Sequence, residues 1–500
     1  MSRDMFDKER LPPALDEFLR GSNPWWSGHQ GKKPPPYHRK AFSHLLRDLQ
    51  QEQPLSAGLI LRGPRQVGKT TIQEQIIEHL IEKDGVRPER ILRVQFDEIP
   101  SLRGLLDPIL TISRWFEDRI LQQSFNEAAR AGERAFVFFD EVQNLADWAP
   151  QTKALIDHNA LRVLITGSSA LRIKAGHDSL AGRVRTVELG PLLLREIAGI
   201  RFQEDIPGVL EGNGIDRLKE IEFWREAREH GIKYRETRDR SFRAFSERGA
   251  YPVAQAAGQD WAQVADYLNE TIVQRAIVHD LRQGEKGRKR DRQLLEEVFG
   301  IACRYAGQAP GQALMVQQVK HALGADVSFQ RIRHYLDFLD GTLLIKLIRP
   351  MEIRLKKKKG HSKICLCDPG IRASWLKEQV PLSPDELARA PHLTDLAGHI
   401  AESVAGYFLG SIPNAGINHF PERGIEPEVD FVLTVGEKRI PIEVKYQGRV
   451  SDQDTFGLRA FLEKTVYNAS CGILVTRSHD TTVLDPRIIS MPLSTLMMLV

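Results

Sequence analysis

The chain has 500 residues, 41% of them hydrophobic and 27% charged, with a net charge of +4. That length predicts roughly three domains with sizeable cores, and so weak a basic balance neither demands nor excludes a nucleic-acid partner. Four cysteines without a Cys-x-x-Cys pair or Cys/His ligand spacing exclude a disulfide framework and a zinc site.

The first ten residues, "MSRDMFDKER", are too charged for a signal-peptide core, and no apolar run reaches the ~18 residues that span a bilayer. A cytoplasmic protein without a membrane partner is therefore expected. Residues 1–55 read as an irregular arm and one helix, with Trp25 and Trp26 packing against a neighbouring domain. Over 56–200, apolar runs at 58–62, 91–96, 135–140, 162–167 and 183–189 alternate with helical stretches. Runs this continuously apolar suit strands buried on both faces of a parallel α/β sheet. Residues 201–280 turn helical and charged. Residues 281–360 predict three helices and a two-stranded element, "GTLLIKLIRPMEIRLKKKK", the pattern of a winged helix. Residues 361–500 begin a second α/β segment, with "KICLCD" as a strand and "HLTDLAGHIAESVAGYFLGSI" as a helix whose stripe is Leu396, Ile400, Val404 and Tyr407.

The most specific signal is "RGPRQVGKTT", in which Gly63-x-x-x-x-Gly68-Lys69-Thr70 fits a phosphate-binding loop between a strand and a helix. Glycines let backbone N–H groups close around phosphate oxygens, and the helix N-terminus favours the anion. Gly63, Pro64, Arg65, Gln66, Val67, Gly68, Lys69, Thr70 and Thr71 are the expected nucleotide contacts, with Lys69 on the phosphates and Thr70 on Mg²⁺. The strand "AFVFFDE" ends in Asp140, suited to the same Mg²⁺, and Glu141, suited to polarising the attacking water. That pair favours ATP hydrolysis over simple binding. After the strand "RVLITG", Ser168 and Ser169 are candidates to touch the γ-phosphate. Arg183 in "LAGR" reads equally as a catalytic arginine at the γ-phosphate or as a surface residue starting a strand.

In "EVDFVLTVGEKRIPIEVKY" two runs flank Gly436-Glu437. A two-residue turn there pairs Val435 with Lys438, hence Phe431 with Ile442 and Asp430 with Glu443. A loop longer by two residues would set Asp430 opposite Lys445, and either register puts Asp430, Glu443 and Lys445 on one face. Opposed carboxylates repel unless a divalent cation lies between them. Glu402 on the preceding helix is a candidate third carboxylate. The face reads as such a metal site or as the solvated side of an amphipathic hairpin. Two basic stretches, "EKGRKRDR" (285–292) and "RLKKKKG" (354–360), bracket the winged-helix segment and are candidates for phosphate contacts.

From about residue 38 to 480, "LRGPRQVGKTT", "FFDEVQNLADW", "ITGSSALRI", "LAGR", "LGPLLLREI", "ERGAYP", "CLCDPGIRAS" and "EVDFVL…IPIEVKY" resemble the prokaryotic AAA+-related P-loop ATPases that carry a C-terminal PD-(D/E)xK nuclease-like domain. The resemblance implies a multidomain α/β protein: a three-layer α/β/α ATPase core, a helical lid, a winged helix and a restriction-endonuclease-like domain. It implies ATP and Mg²⁺ as cofactors, Ser168 as a sensor and Arg183 as a γ-phosphate-sensing arginine. It also matches Glu402, Asp430, Glu443 and Lys445 to a nuclease motif with a second divalent metal, although Val429 replaces the motif's proline. DNA and further copies of the chain are the implied partners, with genome defence as a setting. Two functions stay open: an ATPase that also cuts nucleic acid, and a nucleotide-dependent binding switch whose nuclease-like fold is an inert platform.

Overall fold

A computed structural model describes residues 11–29, 31–52, 56–97, 102, 105–145, 147–167, 180–210, 214–256, 258, 260–276, 292–352, 360–422, 426–479, 481 and 483–500. Ser168, Ser169 and nearly all of the two basic stretches lie outside these residues. The chain divides into two units, Met1–Leu189 and Gly190–Val500. Among the described residues no helix is long and apolar enough to cross a membrane.

The first unit is built on a five-stranded, all-parallel sheet. Its strands are β1 (Gly58–Arg62), β2 (Ile91–Gln95), β3 (Phe136–Asp140), β4 (Arg162–Gly167) and β5 (Val184–Glu188), in the order β2-β3-β4-β1-β5. Every expected strand is present, with ends shifted by at most one residue. β1, β3 and β4 are buried almost throughout, as strands flanked by helices on both faces must be. The edge strand β2 is covered by the arm. Asn23 exchanges hydrogen bonds with the backbone of Arg93 (2.7 and 2.9 Å), and both indole N–H groups of Trp25 and Trp26 donate to the Ile91 carbonyl. These contacts satisfy an otherwise open sheet edge. The two tryptophans therefore belong to their own unit: Trp26 packs on Trp115 and Phe116 of the helix Pro108–Phe116.

The second unit opens with the helices Leu194–Phe202, Ile221–Lys233 and Arg235–Arg248. Trp224 and Phe242 join one apolar core with Leu433, Ile473 and Leu496, so the helices Ile221–Lys233 and Arg235–Arg248 pack with the C-terminal sheet. The expected three helices occupy Arg292–Arg304, Gln312–Leu323 and Phe329–Gly341. Strand β6 (Ile345–Ile348) follows and pairs antiparallel with β7 (Lys363–Leu366). The two-stranded element thus runs across the boundary expected at 360/361, because "KICL" is its second strand.

The last sheet comprises β8 (Gly416–Phe420), β9 (Val429–Val435), β10 (Lys438–Lys445), β11 (Gly472–Thr476) and β12 (Ile488–Pro492), in the order β12-β11-β10-β9-β8. β8, β9 and β10 are antiparallel neighbours, and β11 and β12 add in parallel. The hairpin has the two-residue turn, with Val435 opposite Lys438 and Phe431 opposite Ile442. Gly436 adopts φ +58°, a left-handed conformation that glycine takes without a Cβ penalty. A solvated hairpin face is absent, because apolar clusters bury both sides. One contains Ile400 and Val404 of the helix Thr394–Gly410, and the other Leu458 and Phe461 of the helix Phe456–Leu462.

Candidate nucleotide site and the carboxylate cluster

The phosphate loop leaves β1 at Gly63 and enters the helix Lys69–Glu82. A Cβ at Gly63 would run into the carbonyl oxygen of Leu189, so only glycine fits beside the end of β5. Gly68 caps the helix with φ +94°, and Gln66 also lies in the left-handed region, at φ +64°. These turns fold the loop back over the helix start. Inside it the buried Lys69 ammonium donates to the carbonyls of Gly63 (3.1 Å) and Pro64 (2.8 Å). The Arg39 guanidinium donates to the Val67 carbonyl at 2.7 Å and ties the arm to the loop.

Asp140 ends β3, fully buried. The Thr70 hydroxyl donates to its Oδ2 at 2.8 Å, and the Thr166 hydroxyl donates to Oδ1. Arg93 on β2 stands 3.7 Å from Oδ2 and 3.2 Å from Glu74, whose carboxyl is raised above the usual range chiefly by burial. Glu141 sits at φ +50°, its amide donating to Thr166 Oγ1 at 3.2 Å and its Oε1 lying 3.9 Å from the Lys69 ammonium. Gln143 donates to its other oxygen. The helix is fixed over β3 and β4 by Gln73, whose amide donates to the carbonyls of Phe139 (3.2 Å) and Leu164 (3.3 Å).

The residues present fit a magnesium nucleotide. A hydroxyl and a carboxylate, both hard oxygen donors, meet at the mouth of a glycine loop that holds a buried ammonium. Thr70 and Asp140 would hold the metal, and Lys69 would hold the phosphates. Thr166 is the polar side chain that β4 brings to this centre. Sequence reasoning passed over it for Ser168, although it is the last polar residue of the strand itself.

Arg183 is not brought to the loop. It precedes β5, and its carbonyl accepts from the Gly58 amide at the opposite end of β1 (3.1 Å). The five residues of β1 separate it from the loop by roughly 16 Å at ~3.3 Å per strand residue. Its guanidinium is engaged by Asp157 at 2.5 Å. Within one chain the expectation of a γ-phosphate-sensing Arg183 is therefore corrected to a surface pair at the far edge of the sheet.

In the second unit the structure does gather Glu402, Asp430, Glu443 and Lys445. Continued by one residue, the hairpin register sets Asp430 opposite Glu443. Asp430 Oδ2 accepts from the Val444 amide at 2.9 Å, and the Asp430 amide points at Glu443 Oε2 at 3.4 Å. Lys445 pairs with Glu443 Oε1 at 2.6 Å. A residue the sequence reading passed over completes the cluster. The Lys363 ammonium, 3% exposed, binds Glu402 Oε1 and lies 3.0 Å from Asp430 Oδ1 and 3.7 Å from Glu428. Burial drives the Glu402 carboxyl well above its usual range, helped by the Asp430 charge, and drives Glu443 up to about 8. Asp430 is held below its ordinary value, because Lys363 and its hydrogen bonds outweigh burial.

A second metal does not fit this arrangement. Glu402 Oε1 and Asp430 Oδ1 face the Lys363 ammonium, Asp430 Oδ2 accepts from the Val444 amide, Glu443 Oε1 pairs with Lys445, and among the described residues no group of three or more His, Cys, Asp or Glu is arranged to hold a metal ion. The expected ligand set Glu402, Asp430 and Glu443 is thus present as neighbours and not as a metal centre. The signal was visible: Lys363 is the one charged residue in the otherwise apolar strand "KICL".

Two further quoted motifs, "ERGAYP" and "CLCDPGIRAS", meet around the buried Asp368. Its carboxylate accepts from Ala250 N and from Ile371 N (2.9 Å), capping the helix Pro369–Leu376. A Cβ at Gly249 or Gly370 would collide with that carboxylate. The pair is a structural latch, and all four cysteines, Cys365 and Cys367 among them, are free and buried.

A family described as an AAA domain matches residues 56–198. Two families described as domains of unknown function, DUF8612 and DUF4143, match residues 239–381 and 398–496. An uncharacterized protein of Methanocaldococcus jannaschii is 23% identical over 367 residues, 72% of this chain and 71% of the relative. Uncharacterized proteins of Mycobacterium bovis and Mycobacterium tuberculosis are each 25% identical over 319 residues, 63% of this chain and 54% of theirs. This alignment spans about half the length of the mycobacterial relatives. Two solved structures align at lower similarity. The Aeropyrum pernix ORC2 protein has 13% identity and a TM-score of 0.37 over 64% of this chain and 90% of its own. The Aeropyrum pernix ORC1 protein in complex with DNA has 14% identity and a TM-score of 0.27 over 72% and 95%. TM-scores this low carry no functional weight. Residues 56–198 are thus similar to an AAA domain, and their described part carries the parallel β2-β3-β4-β1-β5 sheet with its glycine loop.

Proposed function

We propose that the chain is a magnesium-dependent ATPase that couples nucleotide binding and hydrolysis to engagement of nucleic acid. The observation that carries the ATPase reading is the meeting of Thr70, Thr166 and Glu141 around Asp140 beside the Lys69-filled loop. Mg²⁺ held by Thr70 and Asp140 would neutralise charge on the nucleotide phosphates. Lys69 binds those phosphates from inside the loop. Glu141 Oε1 accepts a proton from the attacking water, and the Thr166 hydroxyl keeps the Glu141 backbone and the Asp140 carboxylate in register. Phosphate release that requires Mg²⁺ and collapses in Lys69→Ala and Glu141→Gln is the expected result; unchanged release in both variants would sink the reading.

The partner reading rests on the sequence. Basic stretches flank the three helices and β6 that we read as a winged helix, so DNA is the proposed ligand, bound through its phosphates. Binding should weaken steeply with salt, and a flat salt dependence in filter binding would argue against it. For the C-terminal sheet, read as a nuclease-like fold, the committed carboxylates favour a platform over a cutting site.

A further inference from the structure

We propose that Lys363 is a built-in cation that takes the place of a divalent ion in the carboxylate cluster, making the cluster a metal-free joint that fastens β7 to the last sheet. The inference deepens the platform reading and does not depend on ATP hydrolysis.

Three observations carry it. The first is position. The Lys363 ammonium contacts Glu402 from the helix Thr394–Gly410 and Asp430 from β9, two of the three carboxylates read as a metal-ligand set. Both oxygens would be ligands of a cation at that point, and no second cation fits where the first already is. The second is charge. Glu402, Asp430 and Glu443 already face two ammonium groups, with Lys363 on the first two and Lys445 on the third. A divalent ion would meet two ammonium groups already seated in the cluster. The third is anchorage. β7 cannot simply swing away. Its backbone pairs with β6, Leu366 N donates to Ser403 Oγ at 2.8 Å, Gly307 N donates to the Ile364 carbonyl at 2.7 Å, and Ile364 N donates to the Gln308 carbonyl at 2.9 Å. Gly406 lets Cys365 and Phe431 close on the helix where a Cβ would collide with both. Lys363 therefore arrives from a strand outside the last sheet and is locked there, 5.1 Å from the centre of the Phe431 ring.

The test is Mn²⁺ titration of the nucleotide-free full chain, comparing wild type with Asp430→Asn, followed by thermal unfolding of Lys363→Ala with and without Mn²⁺. The expected result is that wild type and Asp430→Asn bind Mn²⁺ alike. Lys363→Ala should unfold at a lower temperature than wild type and regain several degrees with Mn²⁺, a rescue that Asp430→Asn abolishes. A wild-type Mn²⁺ site lost in Asp430→Asn would overturn the proposal. So would Lys363→Ala unfolding at the wild-type temperature without metal. Should Lys363→Ala fail to fold, the wild-type and Asp430→Asn isotherms decide alone. Phosphate release, measured in parallel, tests the ATPase reading separately, because Asp430 lies outside the P-loop unit.

Discussion

The Thr166 hydroxyl donates to Asp140 Oδ1 while its oxygen accepts the Glu141 amide at 3.2 Å, so one side chain at the end of β4 holds both acidic residues at the end of β3. This follows from the strand order: β4 lies between β1, which carries the phosphate loop, and β3. Thr166→Ala should retain nucleotide binding and lower turnover by about 10²-fold, in the range for losing one positioned hydrogen-bond donor. Thr166→Ser should keep most of the rate. Equal turnover in Thr166→Ala and wild type, measured by phosphate release at saturating ATP, would remove Thr166 from the mechanism.

Gly63 marks the closest approach between the phosphate loop and β5. A methyl group there meets the Leu189 carbonyl, a rigid backbone atom that cannot step aside as a flexible side chain would. Gly63→Ala should therefore cost about 1–3 kcal/mol of stability, the usual price of overpacking, and weaken nucleotide binding with it. Thermal unfolding with and without ATP reads both effects. Gly68→Ala is opposed for a different reason, since no atom lies near its Cβ but its φ is +94°.

Asp368 predicts a pH dependence. Burial raises its carboxyl from the ordinary 3.8 to about 6, against the pull of its hydrogen bonds from Ala250, Ile371 and Gly370. The folded chain thus holds this proton at a pH where the unfolded chain has released it. Its contribution to stability is greatest below about pH 4 and falls as pH rises to about 6, by ~3 kcal/mol at 1.36 kcal/mol per unit. His479 slopes the opposite way in an overlapping window, because burial and Arg238 lower it to about 4. Comparison with Asp368→Asn isolates the carboxyl: urea unfolding should show the variant gaining on wild type between pH 4 and 6. A constant difference across that range would contradict the assignment.

Arg183 lies at the far end of the sheet from the loop, paired with an exposed Asp157. Arg183→Ala should leave turnover within about twofold of wild type under dilute conditions, since a surface pair contributes little. A collapse of turnover would mean that the guanidinium serves the nucleotide site of another copy. Mixing Arg183→Ala with Lys69→Ala chains would then restore activity.

The parts of the proposed nucleotide site are local in the sequence. "GPRQVGKT" needs only a strand before it and a helix after it, and "FFDE" needs only a buried strand that ends there. The hairpin register was legible for the same reason, since a two-residue turn with glycine at its first position sets every pair beyond it. Periodicity placed the strands of the first sheet because buried parallel strands are continuously apolar.

What only the tertiary structure decided is which distant residues share a place and which charges balance there. The sequence left Arg183 open between a γ-phosphate arginine and a surface residue, with the family resemblance favouring the former, and parallel pairing with β1 carries it to the end of the sheet away from the loop. Thr166 gains its role from β4 lying beside β3. Asp430, Glu443 and Lys445 were placed together by register, but the meaning of their cluster depends on Lys363, 67 residues before Asp430. A buried carboxylate needs a compensating cation, and spacing alone does not say whether a metal or a lysine supplies it.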